Sequence, residues 1–184
     1  GEGFIKITGE VGTGKTFLCR KFMQSLGPDF VTAYIPNPNL PPRSLILALA
    51  DDLDVLLEKD ADQHQLLKSL NLRLLNLAAQ GRRVLLCLDE AQAIPVDSLE
   101  ALRLLTNLET EKRKLLQIVL FGQPELDVKL ALPEIRQLAQ RITFHYRLGP
   151  LSRDDVDFYV AHRLRVAGFE GARLFSRGGV ARLY

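Results

Sequence analysis

Eight residues near the start constrain this chain more than any others: Gly9-Glu10-Val11-Gly12-Thr13-Gly14-Lys15-Thr16, the pattern G-x-x-x-x-G-K-T. A β-like run, Phe4-Ile5-Lys6-Ile7-Thr8, precedes it, and a stretch of helical character from Phe17 to Met23 follows. Strand, glycine loop and helix form the context that makes this pattern a phosphate-binding loop, or P-loop. The glycines let the backbone curl so that its N–H groups point at phosphate oxygens. The helix adds its free N–H groups and the positive end of its dipole. Gly9, Glu10, Val11, Gly12, Thr13, Gly14, Lys15, Thr16 and Phe17 are therefore the expected nucleotide contacts. Lys15 would reach the β- and γ-phosphates, and the Thr16 hydroxyl would ligate Mg²⁺. ATP and Mg are the expected cofactors. An ordinary glycine turn needs neither Lys15 nor Thr16. A dinucleotide loop fits less well still, because Phe17 stands where its third glycine would be.

About 75 residues later, Val84-Leu85-Leu86-Cys87-Leu88 is a continuous apolar run ending in Asp89-Glu90. An apolar strand delivering an acid at its carboxyl end supplies the second half of a P-loop site, with Asp89 in the Mg²⁺ shell. Glu90 can accept a proton from water attacking the γ-phosphate, which a hydrolase needs and a simple kinase does not. A later strand ends Leu120-Phe121-Gly122-Gln123. Gln123 is a candidate sensor between phosphates and attacking water. Asn37, after the second strand, is a candidate to hold Glu90, or else a turn residue. Arg141, just before the fifth strand, can point out of its own subunit at a neighbour's γ-phosphate. Arg136 competes for that role, and a surface ion pair is the alternative for both.

Composition sets outer bounds. At 184 residues and 47% hydrophobic content, one domain and the start of another are expected, with a core that needs no staples. Net charge is +2, but from Pro133 onward nine arginines and no lysine face five acids, so that stretch carries +4 and the rest −2. Arginine without lysine suits planar recognition of phosphate or carboxylate. Nucleic acid stays open as an alternative partner without being favoured. Cys19 and Cys87 lie in apolar runs and read as small buried hydrophobes. His64, His145 and His162 have no metal-ligand spacing, and no apolar run approaches a membrane span. A cytoplasmic chain is expected, peripheral at the inner membrane only through partners or segments outside it.

Strands are expected over 4–8, 30–35, 83–88, 115–121 and 142–148. Helices are expected after the P-loop, from a Ser44 N-cap to about 58, over 62–80 with an apolar stripe at Leu66, Leu67, Leu70, Leu74 and Leu77, and from Pro95 to about 109. Two short helices would reach Gln140. Another would run from Ser152 to about 166, and a last one over 173–184. Strands alternating with helices mean a parallel five-stranded sheet covered on both faces, a three-layer α/β fold. Residues 1–150 would form the nucleotide-binding core and 151–184 the beginning of a helical lid.

Gly-Glu-Val-Gly-Thr-Gly-Lys-Thr at 9–16, Leu-Asp-Glu-Ala-Gln at 88–92, Asn-Leu-Glu-Thr at 107–110, Leu-Leu-Gln-Ile-Val-Leu-Phe-Gly-Gln-Pro-Glu-Leu at 115–126 and Leu-Ala-Gln-Arg-Ile at 138–142 together resemble the AAA+ ATPases of the ExeA/GspA group. Within that group the chain looks most like the member of the mannose-sensitive haemagglutinin (MSHA) pilus system. The resemblance implies sheet order 5-1-4-3-2, ATP hydrolysis in a homo-oligomer, and pilus or type II secretion proteins as partners. It places Lys15 and Thr16 in the P-loop, Asp89 and Glu90 in the second motif, Gln123 at the first sensor and Arg141 at the finger. The family commonly has Asn or Thr at that sensor, so Gln123 is assigned by position. Arg182 is the candidate for the second sensor of the lid. Transposition regulators and helicase loaders share the motif layout and give the alternative: an AAA+ switch associated with nucleic acid.

Overall fold

The computed structural model describes residues 3–57, 61–110, 113–171, 174, 175 and 179. It divides into two compact units, Gly1–Leu148 and Gly149–Tyr184.

The first unit carries strands β1 (Phe4–Gly9), β2 (Phe30–Ile35), β3 (Arg83–Leu88), the two-residue pair β4 (Glu109–Thr110) and β5 (Arg113–Lys114), β6 (Leu116–Gly122) and β7 (Ile142–Leu148). Its helices are α1 (Lys15–Ser25), α2 (Pro42–Asp52), α3 (Gln63–Ala79), α4 (Val96–Leu105), α5 (Glu125–Leu130) and α6 (Arg136–Ala139). The main sheet runs β2-β3-β6-β1-β7, all pairs parallel. Counting its five strands in chain order, this is 2-3-4-1-5, the expected order read from the other edge. β4 and β5 form a separate antiparallel pair.

Connection handedness decides where the helices go. The steps β2 to β3, β3 to β6 and β6 over β1 to β7 all cross the sheet in one direction, while β1 to β2 goes the other way. Right-handed crossovers then put α2 to α6 on one face and α1 on the other. The side-chain alternation of the strands records the same division. Val84, Leu86 and Leu88 join Phe4, Leu116, Ile118 and Leu120 in a core filled by leucines such as Leu49, Leu70, Leu102 and Leu126. Leu85 and Cys87 turn to the other face with Val119 and Phe121, against Cys19, Phe22 and Met23 of α1.

Helix ends show which stops the chain writes as glycine and which it does not. α3 starts at Asp62 with a capping box to Gln65. It ends where Gly81 takes φ 77° and the Arg82 N–H bonds back to the Leu77 carbonyl. Of its expected stripe, Leu66, Leu70, Leu74 and Leu77 are buried and Leu67 is exposed. α2 is shorter than expected. Its N-cap is Pro41, not Ser44, and it stops at Asp52 instead of near residue 58. The stop is the same backbone device with Asp54 in the left-handed position (φ 54°) and Val55 N–H on the Ala50 carbonyl. α4 also stops early, at Leu105, because the Thr106 hydroxyl bonds the Arg103 carbonyl and the chain turns into β4.

The second unit contains α7 (Arg153–Val166), capped at Ser152 by reciprocal bonds with Asp155. The expected helix over 173–184 lies for the most part, and Arg182 wholly, outside the described residues. Among the described residues no helix is long and apolar enough to cross a membrane.

Candidate functional site

Because the main strands are parallel, their carboxyl ends share one edge of the sheet, where open α/β folds bind ligands. Gly9, Asp89 and Gln123 follow from β1, β3 and β6 at that edge.

The loop after β1 is a built cradle. A β-carbon at Gly9 would sit 2.7 Å from Thr13 Oγ1 and 2.9 Å from Leu148 Cβ, so only glycine fits between the loop and β7. Thr13 closes a turn through its amide and hydroxyl on the Glu10 carbonyl. Gly12 and Gly14 take φ 82° and 83°, with open space where their β-carbons would be. The N–H groups of the first turn of α1 have no intrahelical partners.

Lys15 is 6% exposed and its ammonium donates to the Gly9 and Glu10 carbonyls, both at 2.8 Å. An ammonium has three donors, so one remains. Among the described residues no carboxylate forms a salt bridge with it. A buried cation without a counter-charge is costly, and an anion in the glycine cradle would supply one. Thr16 follows, half-buried, in the first turn of α1.

Asp89 is 2% exposed. Its Oδ1 accepts the Glu90 N–H at 3.0 Å and its Oδ2 accepts the Tyr34 hydroxyl at 3.3 Å. Burial pushes the Tyr34 pKa up, so the phenol stays a donor. No cluster of three or more His, Cys, Asp or Glu among the described residues could hold a metal alone. Mg²⁺ bound through one carboxylate, a hydroxyl and substrate phosphates does not need one.

Glu90 sits at φ 50°, ψ 40°, a left-handed conformation that costs a non-glycine residue roughly 1–3 kcal/mol. It opens the 3-10 turn Ala91–Ala93. Its Oε2 accepts from Gln92 Nε2 at 2.6 Å and from Gln123 Nε2 at 3.1 Å. Gln92 Oε1 accepts the Gln123 N–H at 3.0 Å. Lys129 of α5 holds the turn from below, donating to the Gln92 and Ile94 carbonyls at 2.5 and 2.6 Å. Burial lowers its pKa. Asp127, two residues earlier, pairs with Lys6 of β1.

Residues 1–130 match the family model described as the AAA domain. The chain belongs to that family. Over 168 residues this AAA domain is 51% identical to General secretion pathway protein A of Aeromonas hydrophila, covering 91% of the chain but 31% of that protein. It therefore spans about a third of its relative's length. Among solved structures it is similar to the ORC2 protein of Aeropyrum pernix in its ADPNP–ADP complexes, at TM-score 0.69 and 19% identity over 90% of this chain and 46% of that one. The Cdc6p structure from Pyrobaculum aerophilum gives TM-score 0.68 and 20% identity, over 89% and 43%. Both likenesses concern the fold.

Two sequence expectations for the AAA domain need correction. Asn37 does not hold Glu90: it is exposed and its Oδ1 accepts the Asn39 N–H at 3.4 Å, a turn contact. Arg141 does not point away from its own chain. Its Nη1 donates to Thr106 Oγ1 at 2.9 Å and to the Arg103 carbonyl at 3.2 Å, fastening the end of α4. Arg136 is exposed. Three contributors escaped the sequence reading. Gln92, in Asp-Glu-Ala-Gln, was the most legible, lying two residues past the candidate base. Tyr34 shares its sheet face with its register partner Cys87, a pairing the sequence does not print. Lys129 reaches the turn only through the β6–α5 fold. Cys19 and Cys87 are buried and free, and their mutual contact together with burial pushes the Cys19 thiol pKa up.

Proposed function

We propose that this AAA domain binds ATP with Mg²⁺ and hydrolyses it. The observation that carries the reading is the buried Lys15 ammonium, without a carboxylate partner among the described residues, in a glycine cradle on the sheet edge that also bears Asp89 and Glu90. The loop N–H groups and Lys15 bind and orient the phosphates. Phe17, exposed just past the loop, would complete the nucleotide contacts. Thr16 and Asp89 hold Mg²⁺, which when bound neutralises charge on the phosphate oxygens. Glu90 takes a proton from the attacking water, and Gln123 faces that water from the end of β6. Residues 151–184 begin the lid.

The relative supports a reading of the partners. Identity of 51% to General secretion pathway protein A supports work on a type II secretion apparatus, and the motif pattern supports the related MSHA pilus system. The active form is a homo-oligomer at the cytoplasmic side of the inner membrane. The test is release of phosphate from Mg-ATP by the full-length protein, against chelated metal and against Asp89→Asn. Turnover that requires both metal and Asp89, and rises per subunit with protein concentration, supports the reading. Binding of ATP without turnover at any concentration overturns the hydrolase.

A further inference from the structure

We infer that Gln92 is a positioning residue for Glu90, tying the base to the sensor strand through a single amide. The inference rests on the hydrolase reading above and adds to it the group that sets the base.

The two ends of the Gln92 amide meet partners of opposite need. The Gln123 N–H requires an acceptor and receives Gln92 Oε1 at 3.0 Å. The Glu90 carboxylate requires a donor and receives Gln92 Nε2 at 2.6 Å. An amide meets both demands at once from two adjacent atoms: a carboxylate lacks the donor, and an aliphatic chain lacks both. Gln123 Nε2 closes the circuit on the same oxygen, Glu90 Oε2, at 3.1 Å. Two donors on one oxygen fix the carboxylate's rotation. Among the described residues no hydrogen bond engages the other oxygen, Oε1, which remains for water.

The surroundings hold Gln92 in place. Lys129 binds its carbonyl and that of Ile94. A β-carbon at Gly122 would lie 3.3 Å from Gln92 Oε1 and 2.9 Å from Leu126 Cδ2, so the amide crosses bare backbone to reach β6. The left-handed backbone at Glu90 leaves its side chain without the support of a regular strand or helix. Any shift of β6 at the sensor therefore moves Glu90 as well, through Gln92. A misplacement of the base by about 1 Å costs on the order of a hundredfold in rate.

The experiment compares full-length wild type with Gln92→Leu and Gln92→Glu. The second keeps the shape and the acceptor for Gln123 N–H but replaces the donor to Glu90 with a like charge, so it reports even if the first does not fold. Turnover at saturating Mg-ATP, nucleotide affinity and thermal midpoint are measured for each. We expect turnover to fall roughly ten- to a hundredfold, with affinity and midpoint near wild type. The same change in a Glu90→Gln background should lower the residual rate by less than threefold. Turnover kept or raised in the variants overturns the inference alone, as does a loss explained by weaker nucleotide binding or unfolding. A wild type that binds ATP and hydrolyses none overturns the hydrolase reading and this inference with it.

Discussion

Lys15→Met separates what this lysine does for the fold from what it does for a ligand. The ammonium donates two hydrogen bonds, to Gly9 and Glu10, and bonds from a charged donor contribute about 1.5–3 kcal/mol each. Against them stands the penalty of burying a cation, several kcal/mol even after relaxation. Methionine keeps the stem, which is already buried, and adds about one methyl-sized apolar group worth roughly 0.8 kcal/mol. The Glu10 carbonyl retains its bonds from Thr13 N–H and Thr13 Oγ1. The opposing terms are of similar size, so without nucleotide the variant should unfold within about 1–2 kcal/mol of wild type, the residual scale of such a cancellation. With ligand the two proteins should part. At a hundred times Kd a ligand stabilises the native state by about 2.7 kcal/mol, roughly 5–10 °C in a domain of this size. The assay is thermal unfolding with and without a non-hydrolysable ATP analogue and Mg²⁺. Wild type should shift by that amount and Lys15→Met should shift little. A variant that collapses without nucleotide would make Lys15 a structural strap. One that keeps the full shift would remove it from the phosphate site.

Other substitutions test neighbouring links. Asp54 is exposed in a left-handed helix stop, so Asp54→Gly should stabilise the domain by about 0.5–1 kcal/mol, read as a raised urea midpoint at unchanged slope. Asn37→Leu should leave ATP turnover within about twofold, because the structure gives Glu90 to Gln92 and Gln123; a drop of ten or more, in the range of a catalytic contact, would restore Asn37 to the site. The Arg103 guanidinium beside Glu100 holds its carboxyl below the usual 4.5. A lowered folded-state value stabilises above the unfolded one and is lost as pH falls through the folded one. The stability gap between wild type and Arg103→Leu should therefore narrow on acidification below pH 4.5, by about 1 kcal/mol or less for a half-buried pair that solvent still screens at Glu100.

What could be read ahead of the structure was local. Gly9 to Thr16 announced a loop because glycines are needed there for backbone shape and Lys15 is not. The apolar run before Asp89 announced a strand buried on both faces, and Ile142–Leu148 was placed to the residue. α3 was bounded by Asp62 and Gly81, residues with strong preferences at helix ends. Where the chain used a weaker signal, the boundary moved: Asp54 performs a glycine's task, and Thr106 ends α4 through its hydroxyl. The contacts within the site were least legible. Asn37 and Gln92 are both polar residues just beyond strands. Which one meets Glu90 depends on the left-handed turn at Glu90 and on the bare backbone of Gly122, neither visible as a pattern. Arg141 was rightly seen beside β7, but its direction depends on where α4 stops.

The most direct test of Glu90 as the base is to ask what nucleotide the Glu90→Gln protein holds. Full-length wild type and variant would be incubated with Mg-ATP, separated from free nucleotide, and denatured so that the bound species can be counted. On the proposed assignment the variant keeps the contacts of Lys15, Thr16 and Asp89 and loses proton removal, so it should retain ATP where wild type retains ADP. If the variant holds ADP and turns over like wild type, Glu90 is not the base and the hydrolytic assignment of this edge of the sheet is wrong.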